Sequence, residues 1–265
     1  MAVIRTTRSD MLAHLQTLGI RPGERLVVHG SLLTFGYLEG GAAMIHHVLR
    51  ELLGPAGTIV VPTYCFEQDA GIPYDPATCV STGMGAFSEY VRLLPGAVRS
   101  RTPIHNHAGE GPDASLLLQP NGTCSMGQGS DFELLEQAGF RLLLLGCRFS
   151  QGATFLHHLE ALHGVPYRQW ITLARYIREK DGTVQPITCR YYSLLDKDFL
   201  ENFDPVDAWM AADGNMITSR AAYGQSRLMS LTALQSCVMS RLVQDPFALV
   251  RKASSPCPPC TGETA

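Results

Sequence analysis

Three short apolar runs stand out along the chain: RLVVHG at 25–30, GTIVVPT at 57–63 and RLLLLGC at 141–147. Each has the length of a strand and no alternation, the pattern of strands buried on both faces. Between them lie stretches in which apolar residues recur every three or four positions, the period of a helix with one buried face. These are SDMLAHLQTLG (9–19), GGAAMIHHVLRELLG (40–54), MGAFSEYVRLLPG (84–96), SDFELLEQAG (130–139) and ATFLHHLEALHG (153–164). Punctuation agrees with the period. Ser9 starts the first, Gly54 and Pro95 stop the second and third, and Ser130 with Glu133 forms a capping-box pattern. Strands alternating with helices predict an α/β fold, a layered α/β/α arrangement around a central mixed sheet.

After Pro166 the pattern changes. Two extended runs flank Lys180-Asp181-Gly182, and Asp-Gly between such runs predicts an antiparallel hairpin near 171–191. DKDFLENFDPVDAWMAADG (196–214) and SLTALQSCVMSRLVQ (230–244) read as helical. With no linker and no internal repeat, 1–252 reads as a single domain with the hairpin as an excursion. Residues 253–265, polar and proline-rich, read as a disordered tail.

Composition narrows the class. The chain has 265 residues, of which 45% are hydrophobic and 17% charged, which suits a globular protein with a substantial core. A net charge of −3 argues against a nucleic-acid binder, which needs a basic stripe. The apolar runs are far below membrane-spanning length, and the start lacks the apolar core of a signal peptide, so no membrane association and a cytoplasmic location are expected. Of the eight cysteines, only Cys257 and Cys260 form a CxxC, half a zinc site at best.

Candidate chemistry concentrates in two stretches. RTPIHNHAGEG (101–111) carries His105 and His107, and ATFLHHLE carries His157, His158 and Glu160. A metal-dependent hydrolase would draw on both, but HHLE lacks the HExxH spacing and HxH on extended chain sends its side chains to opposite faces. On a helix, His157 and Glu160 share a face and His158 points elsewhere. A proton-transfer site needs only one histidine near neutral pH and a carboxylate on its other ring nitrogen. A non-catalytic binder remains a third class. The glycine-containing stretch 27–44 lies between a strand and a helix, a place that can present N–H groups to an anion.

Several ordered motifs resemble the aminoglycoside 3-N-acetyltransferase family. VHGSLLTFGYLEGG resembles V-H-[ST]-S-L-x-x-x-G-x-x-x-G-G, and GTIVVPTY and MGAFSEYVRLLPGAVRS resemble the strand and helix that follow. RTPIHNHAGEG resembles R-x-x-H-P-x-x-S-x-A-x-x-G loosely, and ATFLHHLEALHGVPYR resembles N-T-x-x-H-x-x-E followed by V-P-Y-R. The resemblance implies that the 1–252 domain is an acyltransferase. It would move an acyl group, normally acetyl, from coenzyme A to a primary amine, without a metal.

It further implies His105 as general base with Glu160 as its carboxylate partner, and His157 lining the same site. His29, Ser31, Leu32, Gly40, Gly41 and Thr154 would hold acetyl-CoA, with the acyl group carried by an acyl carrier protein as the alternative donor. Tyr64, Glu67, Asp69 and Asp75 are the candidate acceptor-binding residues. Cys147 is the rival acyl-accepting nucleophile, and reads as buried and inert. Thr102, Asn106, His107, Gly109, Glu110 and Phe155 depart from the family pattern. They bear on the substrate, and the segment GIPYDPATCVSTGMGAFSEY resembles members acting on biosynthetic amino sugars or metabolites. The net charge is only −3, the 64–75 loop mixes acids with apolar residues, and Phe155 would narrow the acceptor side. A biosynthetic member with an amino sugar or amino-bearing metabolite as acceptor is therefore expected, with poor turnover of ordinary aminoglycosides.

Overall fold

The computed structural model describes residues 3–66 and 71–253. At its centre is a seven-stranded sheet, in the order Met216–Ala221, Gly224–Ser230, Arg141–Leu145, Arg25–Gly30, Thr58–Pro62, His107–Glu110 and Val98–Arg99. The three apolar runs are neighbours in it: Arg25–Gly30 pairs in parallel with Thr58–Pro62 on one side and Arg141–Leu145 on the other. The flanking pairs are antiparallel, which makes the sheet mixed as expected.

Both faces of the parallel strands are covered. Side chains alternate across a strand, so Leu26, Val28, Ile59, Val61, Leu143 and Leu145 pack on Met11, Leu15, Ile45, Val48, Phe87 and Val91. Those partners belong to the helices Arg8–Thr17, Gly41–Leu53 and Gly85–Arg92. Val27, Val60, Leu142 and Leu144 face the opposite layer and meet Phe132, Leu135, Leu156, Leu159, Leu234 and Val238. These come from Asp131–Gln137, Phe155–His163 and Leu231–Gln244. Burying a side chain of this size contributes about 1.5–3 kcal/mol, so an apolar residue at every strand position is what two covered faces select.

Local chemistry sets the helix ends, with two departures from expectation. The first helix is capped by Thr7 rather than Ser9: Asp10 Oδ2 accepts from the Thr7 N–H at 2.9 Å and Thr7 Oγ1 accepts from the Asp10 N–H at 3.3 Å. Ser130 caps its helix as expected, accepting from the Glu133 N–H at 3.4 Å, but the Glu133 carboxylate reaches back one residue further, to the Gly129 N–H.

The hairpin is longer than predicted, Arg168–Arg178 against Val184–Leu194. Its turn is a five-residue loop, in which Asp181 Oδ1 accepts from the Thr183 N–H at 2.9 Å and Gly182 takes φ +86°. Tyr167 and Tyr192 at its base join the apolar layer that holds the 155–163 helix.

The 196–214 stretch is not one helix. Phe199–Glu201 is a strand antiparallel to Val250–Lys252, and the helix is confined to Pro205–Ala212, with proline at its first position. No helix among the described residues is long and apolar enough to cross a membrane. Glu67, Asp69, Cys257, Cys260 and most of the expected tail lie outside the described residues.

Candidate active site

A cleft of about 440 Å³ opens at the ends of the parallel strands, lined by His29, Gly30, Ser31, Leu32 and Leu33, by 83–86, and by Cys147, Gln151, Gly152 and Thr154. Two glycines let its walls approach. A Cβ on Gly146, at φ +69°, would sit 2.8 Å from Phe35 Cε2 and 2.9 Å from Ser31 O. One on Gly152 would meet Cys147 Sγ at 3.0 Å and His29 Cβ at 3.1 Å. Burial pushes His29 down to about 3, with His107 adding to the effect, so its ring is neutral. Cys147 is 4% exposed and its thiol is pushed up to about 12 by burial, in keeping with an inert sulfur.

One turn of helix from Thr154 stands a histidine between carboxylates. The backbone N–H of His157 donates to Thr154 O at 3.0 Å. Its Nδ1 lies 2.7 Å from Glu160 Oε2, and its Nε2 3.2 Å from Glu201 Oε1. Arg168 Nη2 is also 3.1 Å from Nδ1. A proton on Nδ1 directed at the nearer, oppositely charged carboxylate is the arrangement we adopt. Glu160 is fully buried and also accepts from the Tyr167 hydroxyl at 2.7 Å.

Arg168 binds the cluster together. Its Nε is 2.9 Å from Glu160 Oε2, an ion pair without hydrogen-bond geometry, and its Nη2 is 3.2 Å from Glu201 Oε1. Burial lowers the His157 pKa, but the hydrogen bonds to Glu160 and Glu201 outweigh it and the net shift is upward. The hydrogen bond from His157 holds Glu201 down to about 2 against the opposing effect of burial.

His105 is placed differently from expectation. It makes no hydrogen bond to Glu160; its Nδ1 pairs with Ser125 Oγ, and its ring stacks on Tyr191 at 5.7 Å and 17°. Tyr64 and Phe66 meet it edge-on at 4.9 and 5.1 Å. Burial first, then the charges of His157, His107 and Arg168, push its pKa well below the usual histidine range. The His105–Glu160 pairing is therefore corrected to His157–Glu160. The cause is local: both residues of the second pair sit on one helix face, whereas His105 lies at a bend that faces the hairpin.

His107 belongs to a second buried network. Its Nδ1 is 3.0 Å from Asp131 Oδ2, Thr102 Oγ1 donates to Asp131 Oδ1 at 2.9 Å, and Ser100 Oγ donates to Asp131 as well. Thr102 is thus a buried donor. His107 Nε2 is 3.5 Å from the Tyr64 hydroxyl, which is in hydrogen-bonding reach of Thr154.

Of the other expected site residues, His29, Ser31, Leu32 and Thr154 line the cleft, whereas Gly40 and Gly41 stand apart from it at the start of the 41–53 helix. Tyr64 is 1% exposed and serves as a link rather than a contact surface. Asp75 holds its own turn through the Ala77 N–H at 2.9 Å and lies 3.8 Å from Arg178. Phe155 is 3% exposed and packs on Phe132 and His158, so it fills core and does not narrow an acceptor side. No group of three His, Cys, Asp or Glu side chains among the described residues is placed to hold a metal ion.

Three residues were missed. Tyr167 and Arg168 lie in the VPYR motif, where the sequence flags them without assigning a role. Glu201 carries no local signal at all.

Residues 27–243 match the family model described as aminoglycoside 3-N-acetyltransferase. Aminoglycoside N(3)-acetyltransferase III of a Salmonella species is 32% identical over 196 residues, 67% of this chain and 68% of that protein. Among solved structures, AAC(3)-IVa as a histidine-to-alanine variant in complex with a gentamicin superposes with a TM-score of 0.79 at 25% identity, covering 94% of this chain and 93% of that one. AAC-IIIb bound to CoASH shares the fold, with a TM-score of 0.80 at 23% identity over 95% of this chain and all of the other.

Proposed function

The chain belongs to the aminoglycoside 3-N-acetyltransferase family, and from that premise we propose that it moves an acetyl group from acetyl-CoA to a primary amine of an amino sugar, with His157 as general base. The observation that carries this reading is the histidine held between a buried and a half-exposed carboxylate, one helical turn from the cleft.

Acetyl-CoA fits the cleft on this chain's own features. Residues 29–33 and 83–86 form its walls, and Leu33 leaves 87% of its surface exposed among them, apolar cover for a pantetheine arm. AAC-IIIb holds CoASH on the same fold.

The acceptor reaches the enzyme as an ammonium ion. Glu201, with 45% of its side chain exposed, is the carboxylate available to it. Engaging the ammonium loosens Glu201 from His157 Nε2 and frees that nitrogen. The ammonium gives one proton to bulk water to become the free amine. As its nitrogen attacks the thioester carbonyl, Nε2 takes a second proton from it and later returns that proton to the departing sulfur. Glu160 steadies the imidazolium formed in between, itself held by Tyr167 and Arg168. A positioned base of this kind contributes about 10²- to 10⁴-fold.

AAC(3)-IVa binds a gentamicin, which makes an aminoglycoside the first acceptor to test. The burial of Phe155 removes the steric argument for a smaller amine. The experiment is CoA thiol release from acetyl-CoA with gentamicin-type aminoglycosides and simple amino sugars side by side. Release with neither class at saturating acceptor would defeat the proposal.

A further inference from the structure

Cys65 and Cys79 take no part in the chemistry above, yet their sulfurs lie 2.8 Å apart, 14 positions apart in sequence. Cys65 is 4% exposed and its N–H donates to Ile104 O at 3.0 Å. Cys79 is half-buried, with its N–H on Asp75 O at 2.9 Å. A third group meets both. Arg99, 7% exposed, places Nη2 3.2 Å from Cys65 Sγ and donates through Nη1 to Cys79 O.

The other acceptors of Arg99 are neutral: Thr63 O at 2.6 Å, Thr63 Oγ1 at 3.1 Å and Asn106 Oδ1 at 2.9 Å. Among the described residues none of its partners is a carboxylate, so a thiolate on Cys65 is the anion this buried cation has within reach. With Cys65 as the thiolate, the Cys79 S–H is the donor to the same sulfur. Together with Arg99 it holds the Cys65 thiol down to about 6 against burial. Cys124, Cys147, Cys189 and Cys237 all shift upward with burial. A thiolate beside a cation and a second thiol in contact is the arrangement of a redox-reactive pair.

We propose that Cys65 and Cys79 are a peroxide-oxidised dithiol, with Cys65 as the attacking sulfur and Cys79 as the resolving one. The Cys65 thiolate breaks the O–O bond of hydrogen peroxide, takes one oxygen as a sulfenic acid and releases hydroxide, which is protonated to water. The Cys79 thiol then attacks the Cys65 sulfur. The S–S bond forms, and the sulfenic oxygen leaves as water with the Cys79 proton. Two thiols give up two electrons to one peroxide, and the products are one disulfide and two waters. The sulfurs need approach by less than an ångström, since the bond is about 2.05 Å long.

The site of the clip gives it a place to act. Phe66 follows Cys65 directly and packs edge-on against His105 and Tyr64, at 5.1 and 5.6 Å. A disulfide therefore tethers the segment that packs on His105 and Tyr64, a modification that does not depend on which acceptor the enzyme uses.

Peptide mapping tests this without any substrate. Trypsin releases residues 51–92 as one peptide, whose only cysteines are Cys65 and Cys79. After a small excess of hydrogen peroxide and a non-reducing digest, that peptide is expected to lose the mass of two hydrogen atoms and to resist alkylation. In Cys79→Ser, peroxide followed by dimedone is expected to label Cys65. The inference is overturned if the wild-type peptide keeps two alkylatable thiols while cysteines elsewhere oxidise, or if dimedone labels other cysteines and leaves Cys65 unlabelled. The wild-type measurement stands alone should the variant fold poorly.

Discussion

Replacing each of two histidines, the partly buried His157 and the buried His105, by alanine separates the base from its neighbour. His157→Ala removes the ring that links Glu160 and Glu201. If it is the base, turnover falls about 10²- to 10⁴-fold, a barrier increase of about 3–5 kcal/mol at 1.36 kcal/mol per decade. Stability falls too, by about 1.5–3 kcal/mol for a lost charge-assisted bond, limited because Arg168 stays within 2.9 and 3.2 Å of the same two carboxylates. His105→Ala loses one hydrogen bond to Ser125 and ring contacts with Tyr191, Tyr64 and Phe66. At about 1 kcal/mol for the bond and about 0.5–1.5 for each of the three aromatic contacts, the loss is about 2.5–5.5 kcal/mol. For a chain of this size that lowers Tm by about 5–22 °C. Both variants therefore destabilise, and only turnover divides them. The assay is CoA thiol release at saturating acceptor, with CoA binding by calorimetry to show that each variant is folded. A His105→Ala enzyme that binds CoA but loses as much kcat as His157→Ala would refute the assignment of the base.

Other outcomes follow from the same contacts. Because the base works in its neutral form, kcat/KM is expected to rise with pH through the elevated His157 pKa. Glu201→Gln removes one of the two carboxylates that raise it, so the acid limb should move to lower pH, and a limb that stays put or moves up contradicts this. Glu201 is held at about 2, below its ordinary 4.5, so the stability it adds is full above 4.5 and is lost as pH falls through about 2. Acid unfolding of Glu201→Gln, followed by circular dichroism, should accordingly lack that pH-dependent loss. Gly146→Ala forces a Cβ to within 2.8 Å of Phe35 at positive φ, and a cost of about 2–4 kcal/mol from strain and overpacking is expected, with a raised KM for acetyl-CoA in steady-state kinetics. Cys147→Ser should keep its turnover, since a thiol pushed up to about 12 supplies no nucleophile near neutral pH; loss of activity would revive an acyl-enzyme route.

Much of the scaffold is legible along the chain because its causes are local. Apolar runs such as RLLLLGC become central strands because helices cover both faces, and the Ser130 cap and the stop before Pro95 act within a turn. The pairing of His157 with Glu160 is legible for the same reason, since a helix brings residues three apart onto one face. The resemblance of the histidine stretch 101–111 pointed instead to His105, and the bend there turns its ring to Ser125 and Tyr191, contacts that no spacing rule contains.

What the sequence leaves open is everything that depends on strands meeting across the chain. Phe199–Glu201 is too short to be told from a helix by its period. It is a strand because Val250–Lys252 supplies its hydrogen bonds, and that pairing fixes Glu201 beside His157. His107 meets Asp131, Cys65 meets Cys79, and Arg168 reaches two carboxylates through tertiary contacts between segments that no local pattern joins. Sequence patterns specify which face of an element is buried. Only the packed tertiary structure decides which charged groups share the resulting interior, because their attraction acts over a few ångströms and their separation along the chain carries no trace of it.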